Sequence, residues 1–251
     1  MKIYVFYTPS HESLYRDWFL PSLKDDYEFV VKRYEQRSLS GDFMDKGWIE
    51  TMHAKVDLIL EGIRDNMGEV FVHADVDIQF FKPTIKILSR LIEGKDFVVQ
   101  RDNPQGVACA GFFACRANKK TLQLWLDIKE NLGKNNLHDQ DLLNTYLGTY
   151  QQRWLQGKLF QLGEKLHSVA LQKAVSLINS MVKNLHQIKW AYLPDEFMSG
   201  GTLTGKLWNP GQFLKVPSQI ILHHANWTVG VENKVAQLRY VRDRWNANHA
   251  N

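Results

Sequence analysis

The sequence predicts an α/β domain built on a mostly parallel, Rossmann-like sheet flanked by helices, and three observations carry that reading. Short β-branched and aromatic runs alternate with segments of helical apolar spacing, the pattern of strand–helix–strand units. The chain has 251 residues, 44% hydrophobic and 23% charged, which matches an ordinary globular protein and suffices for one core. One apolar run, Val70-Phe71-Val72, reads as a buried strand and leads directly into Asp75 and Asp77. In open α/β sheets, ligands meet the carboxyl ends of the strands. No repeat, low-complexity tract or Gly/Ser linker interrupts the chain, so one domain over residues 1–251 is expected.

Taken in order, Lys2 to Tyr7 is β-branched and aromatic and stops at Thr8-Pro9-Ser10, which predicts a first strand. A helix is expected over Ser13–Leu23 and a second strand over Tyr27–Arg33. Ile49, Met52, Val56, Ile59, Leu60 and Ile63 repeat at helical spacing from Trp48 to Ile63, before the polar turn Arg64 to Gly68. After the aspartates come a helix over Thr84–Ile92 and a strand over Asp96–Gln100. A strand over Val107–Cys115, broken by Gly111, and an amphipathic helix over Thr121–Leu132 follow. An extra helical segment is expected near residues 151–188, its clearest spacing running from Leu166 to Ile188. The chain closes with a strand over Gln219–Leu222 and a helix from Val235 to about Trp245.

The balance of 31 basic and 27 acidic residues leaves a charge of +4, too mild and scattered for a nucleic-acid footprint. Cys109 and Cys115 flank the apolar Gly111-Phe112-Phe113 in neither a disulfide nor a zinc pattern, so both are expected buried and reduced. No run of roughly 7–15 apolar residues follows Lys2, and no stretch nears bilayer-spanning length. The expectation is a cytoplasmic protein, with peripheral contact at the inner face of a membrane left open.

Three clusters carry candidate chemistry. Asp75 and Asp77 would face opposite sides of an extended strand. If the strand gives way to a turn there, both carboxylates reach a common ion, and hard oxygen ligands suit magnesium or manganese against a diphosphate. Phosphatases of the haloacid dehalogenase type use a similar Asp-x-Asp, with Thr or Val two residues beyond the second Asp. Here that position is Gln79, and the motif lies far from the amino terminus. In the second cluster, His138-Asp139-Gln140-Asp141-Leu-Leu-Asn144, Asp139 and Gln140 could bond sugar hydroxyls or a reacting centre; equally, the acids simply favour a helix start. The third is His223-His224-Ala-Asn226-Trp227 with Gly230 and Lys234, in which either histidine could complete a metal shell and Lys234 neutralise phosphate.

In order along the chain, these pieces resemble the nucleotide-diphospho-sugar transferase family, retaining glycosyltransferases of the GT-A fold. The matching set is Lys55, Asp75-Val76-Asp77, Gly111 to Phe113, Asp139-Gln140 with Asn144, Leu193-Pro194 and His224-Ala-Asn226-Trp227…Gly230…Lys234. The Asp139 to Asn144 stretch is also similar to glycogenin-like galactosyltransferases. The resemblance implies that Asp75, Asp77 and His224 hold Mn2+ (or Mg2+) against the diphosphate of a nucleotide sugar, UDP-linked by family habit. His224 is preferred to His223 because Asn226 and Trp227 keep the family's spacing from it. The resemblance further implies donor contacts from Lys234 and Lys55, a nucleobase near Tyr7 and Thr8, and Asp139 and Gln140 beside the anomeric carbon. It implies transfer of a hexose with retention to a glycan or lipid-linked acceptor. The chain departs from the family at Cys109-Ala110, where Asn-Ser is usual, and between Asn144 and Leu193, which is longer. A metal-dependent phosphatase or a non-catalytic carbohydrate-binding relative are the alternatives.

Overall fold

The computed structural model describes residues 1–38, 46–150 and 184–249. Among the described residues, six strands form the central sheet: β1 (Lys2–Tyr7), β2 (Glu28–Arg33), β3 (Val70–Ala74), β5 (Phe97–Asn103), β6 (Val107–Arg116) and β7 (Trp190–Tyr192). Their order is β2-β1-β3-β6-β5-β7, and β6 alone runs against its neighbours. A smaller sheet, in the order β4-β9-β8, joins β4 (Ile78–Phe80), β8 (Phe197–Ser199) and β9 (Leu222–His224).

Strand alternation divides the core into two layers. Tyr4, Phe6 and Phe71 point to one side, where the helices Trp48–Asp65, Lys119–Asn131 and Asp139–Leu147 pack through Val56, Ile59, Trp125 and Leu143. Ile3, Val5, Val72 and Ala74 point to the other, against Leu14, Phe19, Leu88 and Leu238. Strand β3 is therefore covered on both faces, which explains its unbroken apolar run. Asn118 caps the Lys119–Asn131 helix, its side chain accepting from the Lys120 and Thr121 amides at 2.9 and 3.1 Å. That cap starts the helix two residues before the expected Thr121.

Several elements differ from expectation. The first helix is a relay of turns from Pro9 to Ser22 containing a π turn over Tyr15–Phe19. Strand β6 passes through Gly111 unbroken, and pairing with β6 extends β5 to Asn103. The strand expected over Gln219–Leu222 is displaced to Leu222–His224, where β4 and β8 supply its partners. The last helix begins at Val231, four residues early. Of the helical segment expected near 151–188, residues 151–183 lie outside the described part; Asn184 to Lys189 form a turn in which Gln187 has φ 53°. Among the described residues, no helix is long and apolar enough to cross a membrane.

Candidate active site

Strand β3 ends at Ala74, the chain bends at Val76 and Asp77, and β4 begins at Ile78. The bend removes the alternation that would have turned the two aspartates apart. Asp75 is anchored by its own amide, which donates to the Gly111 carbonyl at 2.7 Å. Asp77 is fixed through its carbonyl, which accepts from Ala225 N at 2.8 Å. Strand β9 runs antiparallel to β4 with His224 opposite Ile78, which brings His224 Nε2 to 3.1 Å from Asp77 Oδ1. One ligand atom from each of Asp75, Asp77 and His224 lies within 4.8 Å of the others.

His223 takes the opposite face of β9. Its Nε2 lies 3.1 Å from Gln237 Oε1, and the Gln237 amide donates to Thr228 Oγ1 at 2.7 Å. Burial, only partly offset by Gln237, pulls the His223 pKa down to about 3, so the ring is a neutral packing element. The histidine doublet thus splits into one residue at the carboxylates and one in the core.

Two lysines meet the same carboxylates. Lys234 Nζ lies 2.5 Å from Asp77 Oδ2. Burial opposes charge on Asp77, but Lys234 and then His224 outweigh it and hold the carboxyl well below the usual range. Lys55, buried on the Trp48–Asp65 helix, lies 3.1 Å from Asp75 Oδ1 and 3.3 Å from Asp139 Oδ2. Burial likewise opposes charge on Asp139; Lys55 first and His138 next overcome it, keeping the carboxyl ionised far into acid. On the other side of Asp75, His73 Nε2 lies 3.5 Å from Oδ1, and burial above all lowers the His73 pKa. Gln140, one residue past Asp139 at the start of its helix, accepts from Ala110 N at 3.1 Å.

These groups line one cleft of about 470 Å³, within the size range of small-molecule sites. Tyr7 and Thr8, at the end of β1, form one wall, with Tyr7 stacked on Tyr15 at 4.7 Å. Asp75, Asp77, His224 and Lys234 lie in the same cleft, and Lys55, Asp139 and Gln140 complete it. Tyr7, Thr8, Lys55, Asp75, Asp77, Asp139, Gln140, His224 and Lys234 thus meet in one cleft, while His223, Asn144, Leu193, Pro194 and Gly230 do not line it.

Two residues of this region, Asp102 and Gln100, were not singled out from the sequence. Asp102, at the end of β5, accepts from Asn226 Nδ2 at 2.8 Å and from Trp227 Nε1 at 2.9 Å. It thereby clamps the turn between His224 and Lys234, where Trp227 adopts φ 54°. A polar run at a strand's carboxyl end, Gln100 to Asn103, was the available clue. Gln100 itself contacts His224. Gly111 is a close approach rather than a break: a Cβ there would sit 2.4 Å from His224 Cε1 and 2.6 Å from Asp75 Oδ2. Cys109 and Cys115 are buried and free as expected, and burial pushes Cys115 up to about 12.

The donor set fits a hard divalent cation. Two carboxylates and one imidazole suit manganese or magnesium. Gln100 Oε1, a pure acceptor, lies 3.0 Å from His224 Nδ1, which leaves Nε2 as the ring atom turned to Asp77.

A model of nucleotide-diphospho-sugar transferases matches residues 22–238, from the end of the first helical relay into the last helix. The chain belongs to this family. The transferase is a glycosyltransferase of the GT-A fold, and its Asp-x-Asp is not read as a phosphatase motif. A glycosyltransferase involved in the glycosylation of the major capsid of PBCV-1 superposes with a TM-score of 0.50 at 8% identity, covering 97% of this chain and 100% of its own. The galactosyltransferase LgtC, solved with donor and acceptor sugar analogues, gives a TM-score of 0.45 at 10% identity over 89% of this chain and 86% of its own. A search of curated protein sequences returned no match to the transferase.

Proposed function

We propose that the transferase is metal-dependent and moves a hexose from a UDP-sugar to a glycan or lipid-linked acceptor with retention of configuration. The observation that carries this reading is the meeting of Asp75, Asp77 and His224 within 4.8 Å in a cleft that also holds Lys234, Asp139 and Gln140. Asp75, Asp77 and His224 would hold Mn2+ or Mg2+. When bound, the ion supplies Lewis-acid stabilisation of the negative charge that develops on the leaving diphosphate.

The protein's own residues divide the remaining work. Lys234 adds a point charge toward the diphosphate. Tyr7 and Thr8 border the nucleobase. Lys55 holds Asp75 and Asp139 in fixed register from a buried position, which keeps the metal-side and sugar-side carboxylates at a constant spacing. The Asp139 carboxylate is committed to Lys55, which makes it a poor covalent nucleophile. That commitment favours front-face substitution, in which the acceptor oxygen attacks C1 on the side from which the diphosphate departs. Gln140 is turned into the cleft beside that centre, its side-chain oxygen braced on the Ala110 amide.

Release of UDP from UDP-glucose and UDP-galactose, measured with Mn2+ and with a chelator, tests the reading. Turnover of one donor that the chelator abolishes is the expected result. Turnover unaffected by chelation contradicts it.

A further inference from the structure

We propose that Gln100 is a positioning residue that locks the tautomer of His224 and so sets Nε2 as its metal-facing atom. The inference rests on the metal reading above and concerns a residue outside the cleft wall. Gln100 is fully buried on β5, at a register shift against β6 between Val99 and Gln100. Such an irregularity re-aims a side chain out of the regular pleat. Here the side chain reaches across to the smaller sheet and ties the two sheets together at β8 and β9.

The amide of Gln100 has one permitted orientation. Its Nε2 donates to two backbone carbonyls of β8, Phe197 O at 3.2 Å and Met198 O at 2.8 Å. Carbonyls only accept, so the opposite orientation would set an oxygen against two oxygens in a buried site. The Oε1 atom is thereby turned to His224 Nδ1, 3.0 Å away. That oxygen also only accepts, so Nδ1 carries the hydrogen and donates it. Nε2 then faces Asp77 Oδ1 at 3.1 Å, an oxygen that only accepts, so a hydrogen or an ion stands between them, and Nδ1 keeps its hydrogen in either case. Cys109 Sγ, 3.6 Å from the same Nδ1, can share that hydrogen as a weak acceptor.

The chain of constraint runs from the β8 backbone to Gln100, from Gln100 to Nδ1, and from Nδ1 to Nε2 as the ring atom left for the ion. A ring already held in the ligating tautomer loses less freedom on binding an ion. Partners of this kind behind a ligating histidine are worth about 10–100-fold in metal affinity.

Two measurements on the full-length protein test the assignment. The first is the 15N imidazole spectrum of the metal-free wild type, with His224→Gln identifying the His224 signals. A protonated Nδ1 is expected, and a bare Nδ1 overturns the proposal. The second is calorimetric titration with Mn2+ alone, without nucleotide. Gln100→Leu should weaken binding about tenfold or more and, by leaving the Nδ1 hydrogen of His224 without its fixed acceptor, shift its signal in the same 15N spectrum. Weakened binding in Gln100→Leu with the His224 Nδ1 signal unchanged from wild type makes Gln100 merely structural and overturns the assignment, as does wild-type affinity in Gln100→Leu. Failure of Mn2+ to bind the wild type defeats the metal reading itself, which the tautomer measurement does not depend on.

Discussion

Lys55 Nζ lies 3.3 Å from Asp139 Oδ2, and the same buried nitrogen reaches Asp75 Oδ1 at 3.1 Å. One ammonium thus joins the carboxylate at the end of β3 to the carboxylate at the start of the Asp139–Leu147 helix. Removing one partner of a buried ion pair leaves the other charge uncompensated, which costs about 3–5 kcal/mol. Lys55→Met should therefore lower unfolding stability by about that amount in denaturant titrations. The double variant Lys55→Met/Asp139→Asn should lose less than the sum of the single losses. Strict additivity would show that the two groups do not share a charge network.

Much of this arrangement was legible from residues alone, for identifiable reasons. Strands β1 and β3 and the Trp48–Asp65 helix declare themselves because each buries a local apolar pattern. The Asp75-Val76-Asp77 pair stood out because it follows a fully buried strand. Strands β4, β7 and β8 have three residues each, too few to show a period, and exist because distant segments pair with them. The displacement of β9 to Leu222–His224 has the same non-local cause. Gly111 was read as a strand break because sequence shows a missing side chain but not the His224 ring that occupies its space. Asp102 and Gln100 were passed over because their partners lie more than 90 residues away.

Gly111→Ala tests the close approach directly. A Cβ 2.4 Å from His224 Cε1 and 2.6 Å from Asp75 Oδ2 must displace two proposed metal ligands. Overpacking of this kind costs about 1–3 kcal/mol. Mn2+ affinity by calorimetry should fall about tenfold or more. Unchanged affinity would mean that these side chains do not hold the ion in the positions described.

Gln140→Ala should reduce kcat more than it raises the donor KM, because the side chain is placed beside the reacting centre rather than at the diphosphate. Gln140→Glu retains an acceptor for the Ala110 amide and separates loss of that brace from loss of the amide group itself. Steady-state kinetics with saturating acceptor resolves the two. Equal losses in kcat and donor affinity would assign Gln140 to binding.

His223 makes a pH-dependent contribution whose sign follows from its lowered pKa. The folded ring resists protonation down to about pH 3, whereas the unfolded chain takes up the proton near the ordinary histidine value of about 6.5. The contribution is fully present above about pH 6.5 and is lost as the pH falls toward the folded value. One proton amounts to about 1.4 kcal/mol per pH unit, hence about 2 kcal/mol between pH 6.5 and 5. Urea unfolding at both pH values should show that loss in the wild type and less of it in His223→Gln. Parallel losses in the two proteins would place the acid sensitivity elsewhere.

The most direct test of the central claim is the thermal stability of the protein with UDP, GDP and CMP, each with and without Mn2+, for the wild type and Asp77→Asn. Ligands that bind only the folded state raise the melting temperature by mass action. The account predicts that UDP raises it in the wild type only when Mn2+ is present, and that Asp77→Asn, whose baseline melting temperature is lowered by loss of the Lys234 and His224 pairs, loses that response. Stabilisation by UDP that is indifferent to Mn2+, or that survives in Asp77→Asn, would contradict a metal-bridged donor site at Asp75, Asp77 and His224.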